Sequence, residues 1–417
     1  MKKCVLMIAY HFPPLQGSSG IQRTLKFSKY LPELGWSPII LSAHPRAYLK
    51  TNNDLLTEFQ DKDSIYRAFA LDTSKHLSCM KRYPRVLAVP DRWVSWWLGA
   101  VPLGLYLIRK YKPDVIWSTY PIATAHLIGL SLHRMTGVPW VADFRDPMVE
   151  EGYPSDPLVN RSYQWIEKET IAHCTRAVFT TTGTCNDYKT RYQSIASSRF
   201  SIIENGYDEE VFLKAETTVV DKPSKSKPFV LIHSGIVYPS ERNPESFFAA
   251  LQALLQKNLI SGSTLKVILR ATFNDKYIHG LIVKYGIESI VTIAPVIRYQ
   301  DALSEMLSAD GLLILQGSNC NNQIPAKLYE YLRARRPILA LTDSKGDTAI
   351  KLSSMGINTI AQLDSKEDIE NKLMKFMELC ENNNAQIAPV DAILSNSRKS
   401  RTEELVSLLD EVACEVR

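Results

Sequence analysis

Short apolar runs alternate with helical repeats along the first half of the chain. Apolar runs of strand length fit buried strands, and apolar residues spaced three or four apart fit helices that cover a sheet. This alternation is typical of a doubly wound α/β domain with a parallel sheet. The predicted strands are residues 5–10, 37–42, 115–118, 140–143 and 177–181, and the predicted helices include residues 21–34, 121–136 and 157–173, the first of them ended by Gly35.

The second half repeats this alternation after a polar segment. Residues 216–228, E-T-T-V-V-D-K-P-S-K-S-K-P, lack periodicity and are rich in Lys, Ser and Pro, as linkers are. We therefore expect a first domain (1–215), a linker (216–228), a second domain (229–395) and a last helix (396–417) that returns to the first domain. The predicted strands of the second domain are residues 229–233, 264–269, 290–293, 311–315 and 337–341, and its helices include residues 244–257, 299–308 and 325–335.

Composition narrows the class of protein. The chain has 417 residues, of which 45% are hydrophobic and 22% charged, which is enough for two ordinary cores. Its formal charge of +5 is too mild to indicate a nucleic-acid binder. The seven scattered cysteines form no C-x-x-C pair and indicate reduced thiols. The apolar start of the chain is only as long as a strand, and no run reaches the ~18 apolar residues of a membrane span, so we expect a cytoplasmic protein.

The predicted helix after residue 325 carries chemistry that suits a nucleotide. The segment 322–337 reads N-Q-I-P-A-K-L-Y-E-Y-L-R-A-R-R-P, and Pro325 suits a first helical turn that Asn321 or Asn322 caps. Lys327 and Glu330 then point away from the apolar stripe of the helix. A helix start with a lysine suits a phosphate, and a carboxylate one turn further suits paired hydroxyls. The alternative is an ordinary amphipathic helix with an exposed Lys-Glu pair.

This segment resembles the donor-site helix of the family-four retaining glycosyltransferases. That family carries an E-x7-E pattern whose second glutamate bonds the ribose of a nucleotide sugar. Glu330 matches the second position and Asn322 replaces the first, where an amide offers similar hydrogen bonds without charge. The resemblance implies the GT-B architecture, an α/β fold of two Rossmann-like doubly wound domains that face an interdomain cleft.

Two further glycine-containing segments fit the same resemblance. The first predicted strand leads into a loop with Gly17, Ser18, Ser19 and Gly20, where glycines allow close backbone approach. The resemblance places this loop toward the donor diphosphate, and the alternative is a plain turn before a helix. In the second domain, H-S-G-I-V-Y-P-S-E-R-N-P ends a strand. Family members follow this strand with a glycine, an arginine and a lysine that hold the donor phosphates; Gly235 and Arg242 match two of them, and Lys327 is expected to supply the missing charge.

The acceptor side of the resemblance is the run V-P-W-V-A-D-F-R-D-P-M. It places Asp143, Arg145 and Asp146 at the carboxyl edge of the first sheet, where open α/β sheets bind ligands. It is similar to the D-x-R-D-P-W segment of family members that synthesise bacterial surface polysaccharides, which implies that an aspartate lies near the acceptor hydroxyl. The alternative is a structural salt-bridge cluster.

Residues 81–97 mix cations with large aromatic side chains. Such a mixture is typical of a segment that contacts an anionic membrane, as a lipid-linked acceptor would require. The alternative is a loop that packs its tryptophans into the first domain. The residues concerned are Lys81, Arg82, Arg85, Arg92, Trp93, Trp96 and Trp97.

The leading hypothesis is a retaining glycosyltransferase that moves a sugar from a nucleotide sugar to a saccharide acceptor, lipid-linked in our expectation, in bacterial surface polysaccharide synthesis such as that of capsule or lipopolysaccharide. We expect cations and helix amides to neutralise the diphosphate, so no metal or other cofactor is required. One rival is a GT-B sugar-nucleotide epimerase. The other is a non-catalytic saccharide-binding protein.

Overall fold

The protein folds into two compact units, here taken from a computed structural model that describes residues 3–17, 20–52, 61–78, 80, 82–219 and 228–415. The first unit comprises the described residues within Met1–Asn205 and Arg398–Arg417. The second unit is Gly206–Ser397. The second unit therefore begins ten residues before the predicted linker and includes the linker and the predicted start of the second domain. Most of the linker, residues 220–227, lies outside the described residues.

The first unit contains a seven-stranded parallel sheet in the order β3-β2-β1-β4-β5-β6-β7. From β1 to β3 the strands are added toward one edge of the sheet, and from β4 to β7 toward the other, so this is a doubly wound sheet with a switch point between β1 and β4. Its strands are β1 (Lys3–Ile8), β2 (Trp36–Ala43), β3 (Ile65–Ala68), β4 (Val115–Thr119), β5 (Trp140–Arg145), β6 (Arg176–Phe179) and β7 (Phe200–Ile202). Its helices are α1 (Gly20–Tyr30), α2 (Thr73–His76), α3 (Ser95–Tyr111), α4 (Ala123–Thr136), α5 (Pro157–His173), α6 (Thr182–Arg191) and α15 (Arg398–Glu415).

The last helix, α15, packs on the first unit beside α1. Its apolar residues Leu405, Leu409 and Val412 join the core of that unit. Asp410 accepts hydrogen bonds from Lys3 Nζ (2.6 Å) and from Trp36 Nε1 (2.9 Å). The helix is thus held by an apolar face and by one carboxylate that reaches two strands.

The second unit contains a six-stranded parallel sheet in the order β10-β9-β8-β11-β12-β13, with its switch point between β8 and β11. Its strands are β8 (Phe229–Ser234), β9 (Leu265–Arg270), β10 (Val291–Ala294), β11 (Gly311–Leu315), β12 (Ile338–Leu341) and β13 (Ile360–Ala361). Its helices are α7 (Glu209–Glu216), α8 (Glu245–Gln256), α9 (Asp275–Tyr285), α10 (Tyr299–Ser308), α11 (Lys327–Ala334), α12 (Asp347–Ser354), α13 (Lys366–Glu381) and α14 (Val390–Leu394).

The strands near the centre of each sheet are the predicted ones, because strands covered on both faces give continuous apolar runs. Three short strands were not predicted: β3, β7 and β13. All three are the edges of their sheets, and β13 has only two residues, Ile360 and Ala361, too few for a pattern. Over the described residues, no helix is long and apolar enough to span a membrane.

Candidate functional site

The carboxyl end of β8 brings a glycine and a lysine together. Gly235 follows β8 with φ +114°, a conformation that L side chains rarely adopt. A Cβ on this residue would lie only 3.0 Å from Lys327 Nζ, so the absence of a side chain gives the ammonium group room beside the backbone. The preceding amide, Ser234 N–H, donates to Tyr331 Oη at 2.9 Å, which ties the end of β8 to α11. The sequence-predicted Gly235 and Lys327 are therefore neighbours.

Two cations share this edge of the second sheet. Burial and the nearby positive charge of Arg242 lower the pKa of Lys327 well below its usual value, and Glu330 opposes this shift. Arg242 donates to Ile236 O at 2.9 Å and lies over the ring of Tyr238. Two cations that repel each other in a partly buried site favour an anion that neutralises both.

His233 contacts Lys327 and was not singled out in the sequence analysis. Its ring is fully buried in β8. Its Nδ1 lies 2.9 Å from Leu313 O and its Nε2 lies 3.0 Å from Lys327 Nζ. Burial and the charges of Lys327 and Arg242 lower the pKa of His233 well below its usual range. The imidazole is therefore neutral at physiological pH.

Glu330 lies on α11, one turn after Lys327. Tyr299, the first residue of α10, donates its hydroxyl to Glu330 Oε1 at 2.7 Å. The Glu330 side chain is half-buried. Tyr299 was not among the sequence-predicted residues, because the two helices meet only in the folded sheet.

The predicted cap of α11 is wrong. The helix starts at Lys327 rather than Pro325, its N-cap is Ala326, and within the described chain no side chain caps it. Asn321 instead donates from Nδ2 to Asp343 Oδ2 at 2.7 Å, which fixes it to the loop after β12, and Asn322 is exposed. Asn321 is therefore bonded to the loop after β12, and Ala326 rather than an asparagine is the N-cap of α11.

In the first unit, Asp143 is the centre of a buried ion pair. Arg23 donates to both carboxylate oxygens, from Nε to Oδ2 at 3.0 Å and from Nη2 to Oδ1 at 2.8 Å. Thr119 Oγ1 donates to Oδ2 at 2.8 Å. Arg23 also donates to the carbonyl oxygens of Ile203 and Glu204, so it joins α1, β5 and the segment after β7. Asp143 has no exposed surface, which favours the alternative of a structural salt bridge for this aspartate.

Arg145 and Asp146 differ from Asp143 in exposure. Arg145 ends β5 with φ +58°, an unusual conformation for a non-glycine residue that is common at functional sites. Its Nη1 would lie 2.7 Å from a Cβ on Gly20, the first residue of α1, and His11 crowds the same position. Asp146 is exposed and lies at the carboxyl edge.

Of the other predicted loop residues, Gly17 has φ +85°, whereas Ser18 and Ser19 lie outside the described residues.

The tryptophans of residues 81–97 pack into the first unit. Trp96 is fully buried, and Trp93 packs on Tyr10 with ring centroids 4.8 Å apart. Trp97 Nε1 donates to Ser131 Oγ at 2.9 Å. Lys81 lies outside the described residues. The structure thus favours the packing alternative for these aromatic side chains.

The comparison with protein families agrees with this arrangement. Residues 22–206 match the family model described as a glycosyl transferase 4-like domain. This part of the first unit is therefore similar to a glycosyl transferase 4-like domain, and the resemblance found in the sequence is confirmed. No curated protein matches the sequence significantly.

Solved structures with the same fold cover nearly the whole chain. Sucrose-phosphate synthase from Thermosynechococcus elongatus has a TM-score of 0.68 at 12% identity, covering 99% of this chain and 100% of that one. Anabaena HepE in complex with UDP-glucose has a TM-score of 0.62 at 12% identity, covering 98% and 99%. The lipopolysaccharide outer core galactosyltransferase WaaB has a TM-score of 0.60 at 11% identity, covering 97% and 99%. The predicted GT-B fold is confirmed.

Proposed function

We propose that the protein is a glycosyltransferase that uses a nucleotide sugar, and that the diphosphate of this donor binds at the carboxyl edge of the sheet in the second unit. The observation that carries the proposal is the packing of the Lys327 ammonium group against the backbone at Gly235. A phosphate oxygen at this place would meet Lys327, the nearby Arg242 and a backbone without a side chain. Compared structures support a nucleotide ligand, because Anabaena HepE was solved with UDP and with UDP-glucose.

Glu330 is proposed to bind the ribose hydroxyls of the same nucleotide. It lies on the same helix as Lys327, so the phosphate would lie beside Lys327 and the ribose one turn further along α11, beside Glu330. Tyr299 donates its hydroxyl to one carboxylate oxygen of Glu330 and so helps to orient this carboxylate, whose oxygens can accept hydrogen bonds from a vicinal diol. Asn322 is proposed to contact sugar hydroxyls through its amide, in place of the usual carboxylate.

The charge that grows on the leaving diphosphate explains why two cations are needed. Negative charge develops on the phosphate as the sugar departs, and fixed cations stabilise this charge more in the transition state than in the ground state. Lys327 and Arg242 are proposed to supply this stabilisation without a metal or other cofactor. Transfer with retention of configuration is part of the proposal and would be read directly from the anomeric configuration of the product.

On the acceptor side, the proposal separates the two aspartates. Asp146 is exposed and is proposed to orient the acceptor hydroxyl, whereas Asp143 holds Arg23 and so positions the end of β5. Arg145, with its strained backbone beside Gly20, is proposed to organise this edge. We propose a saccharide acceptor, lipid-linked, in the synthesis of a bacterial surface polysaccharide such as capsule or lipopolysaccharide.

A lipid-linked acceptor requires contact with a membrane, and we assign that contact to a different surface from the tryptophans. Val86 and Leu98 are 68% and 62% exposed, and Leu87 is 40% exposed. Thr73 joins their segments, because its hydroxyl donates to Leu87 O and its amide donates to Arg92 O, close to the start of α3. The same unit also carries exposed cations, which would attract anionic lipid. These cations are Arg82, Arg109 and Lys110.

The test of the proposed function is turnover with a panel of nucleotide sugars and saccharide acceptors, followed by mass spectrometry and NMR of the product. We expect a new glycosidic bond and loss of activity in Glu330→Ala, with nucleoside-diphosphate affinity reduced by about 1.5 to 3 kcal/mol. A new sugar epimer without transfer would identify an epimerase instead. Binding of saccharides without nucleotide-sugar turnover would identify a binding protein.

A further inference from the structure

The hydrogen-bond partners of His233 define the protonation state and the tautomer of its ring. A lysine ammonium group has only donors, so at 3.0 Å the Nε2 atom of His233 must accept a hydrogen bond from Lys327 Nζ. The proton of the neutral ring then lies on Nδ1, which faces Leu313 O at 2.9 Å and donates to it. Both contacts require the same neutral tautomer. A protonated ring would place a donor against the ammonium group and is excluded by charge.

The position of the ring explains the position of the lysine. His233 lies in β8 and Gly235 directly follows this strand, and the Lys327 ammonium group lies close to both. The ring is fully buried, and its Nδ1 contact to β11 prevents it from turning. Lys327 therefore meets a fixed acceptor on one side and the bare backbone of Gly235 on the other.

We propose that His233 is a positioning residue that directs the Lys327 ammonium group toward the diphosphate. This inference rests on the proposed function, because it assigns His233 a role through a lysine that we propose as a phosphate ligand. A lysine side chain is long and flexible, and holding it in one rotamer before the ligand arrives removes part of the entropy cost of binding. His233 itself touches neither phosphate nor sugar in this proposal.

Two amide substitutions separate the two contacts of the ring. In His233→Gln, the terminal amide reaches the position of Nε2 and offers an oxygen to Lys327. In His233→Asn, the shorter amide reaches the position of Nδ1 and preserves only the hydrogen bond to Leu313 O. Both variants have the same functional group and remove the same ring, so they are matched controls for each other.

The experiment measures nucleoside-diphosphate affinity by calorimetry, with the best binder among UDP, GDP, ADP and dTDP as the probe. We expect His233→Asn to lose about tenfold or more in affinity and His233→Gln to remain within about threefold of the wild type. In a Lys327→Ala background the effect of His233→Asn should disappear, because the two residues act through one contact. Equal affinities of the two variants, or an undiminished effect without Lys327, would overturn the inference.

A measurement on the wild-type protein covers the case in which a variant does not fold. Nitrogen-15 NMR should show His233 as the neutral Nδ1–H tautomer over the whole neutral pH range, and the Nε2–H tautomer would overturn the inference. If the wild type binds nucleoside diphosphates but the variants do not differ, only the role of His233 fails. If the wild type binds none of the four, the proposed donor site fails as well.

Discussion

Asp143 and Asp146 are three residues apart, and the structure predicts opposite consequences for the same change. Asp143→Asn keeps the shape of the side chain but leaves the Arg23 guanidinium group buried without its counter-charge. It also turns a donor of the new amide toward the donors of Arg23 or of Thr119. Asp146→Asn removes a charge that is exposed to solvent. The pair therefore separates a structural carboxylate from a functional one.

The magnitude for Asp143 follows from its burial. The aspartate is 0% and Arg23 is 3% exposed, so neither charge is replaced by water when the other is lost. Removing one partner of a buried ion pair costs about 3 to 5 kcal/mol. This is a large part of the ~5 to 15 kcal/mol that stabilises a typical domain. For Asp146, we expect a change in stability within about 0.5 kcal/mol, as for other exposed sites.

The positions of the tryptophans make fluorescence-detected urea unfolding specific for the first unit. All seven tryptophans of the chain precede residue 206, so intrinsic tryptophan fluorescence reports unfolding of the first unit. We expect the urea midpoint of Asp143→Asn to fall by about 1 M or more, because m-values of ~1 to 3 kcal/mol per M convert the loss into that shift. Asp146→Asn should keep the wild-type midpoint and lower transfer by ~10²-fold with donor affinity little altered.

Two results would refute this reasoning. A normal urea midpoint in Asp143→Asn together with lost transfer would make Asp143 the acceptor-side residue, as the sequence analysis considered. Full transfer by Asp146→Asn would remove that residue from the site. Measuring donor affinity in both variants ensures that a change in the second unit is not mistaken for either result.

Three further predictions concern the second unit. The charged form of Lys327 should bind a nucleoside diphosphate more tightly than the neutral form, so affinity should fall as pH rises through its lowered pKa, below the ordinary value of ~10.4; Lys327→Arg should flatten this dependence in calorimetry, and an equal slope in both proteins would contradict it. Gly235→Ala should lower the free energy of unfolding by about 1 to 3 kcal/mol and weaken diphosphate binding, because alanine is strained at φ +114° and its Cβ meets Lys327 Nζ; circular dichroism and calorimetry check both. Arg335→Gly should raise stability by up to about 1 kcal/mol in thermal melts, because Arg335 ends α11 at φ +52°, whereas Arg336→Gly, with the same loss of charge, should lower it.

The central strands and the donor helix were predictable from local patterns. Continuous apolar runs mark strands that are buried on both faces, and residues 338–341 showed this pattern directly after the helix. The closeness of Gly235 and Lys327 was also anticipated, but only through the resemblance to a family. Local rules failed at the start of α11, where Asn321 bonds Asp343 in a loop that no short window of sequence includes.

The roles of charged residues could not be read from the sequence, because their partners are distant along the chain. Asp143 and Arg23 are 120 residues apart, so the segment D-F-R-D gives no sign of which aspartate is buried. The tryptophans of residues 81–97 present the same difficulty, since composition alone fits both a packed loop and a membrane surface. Whether these tryptophans are buried depends on residues from other segments of the chain, here Tyr10 and Ser131.

The two departures from the family pattern have a common physical explanation in the second unit. The family's lysine after the arginine is replaced by Asn243 here, and the first glutamate of the E-x7-E pattern is replaced by Asn322. Losing one positive and one negative charge leaves the net charge of the donor site unchanged. In our proposal, Lys327 supplies the second cation from α11, and His233, 94 residues earlier in the chain, is the neutral acceptor that contacts it. A second charged acceptor at that place would neutralise the lysine and weaken its attraction for phosphate, so a neutral imidazole suits this position better than a carboxylate.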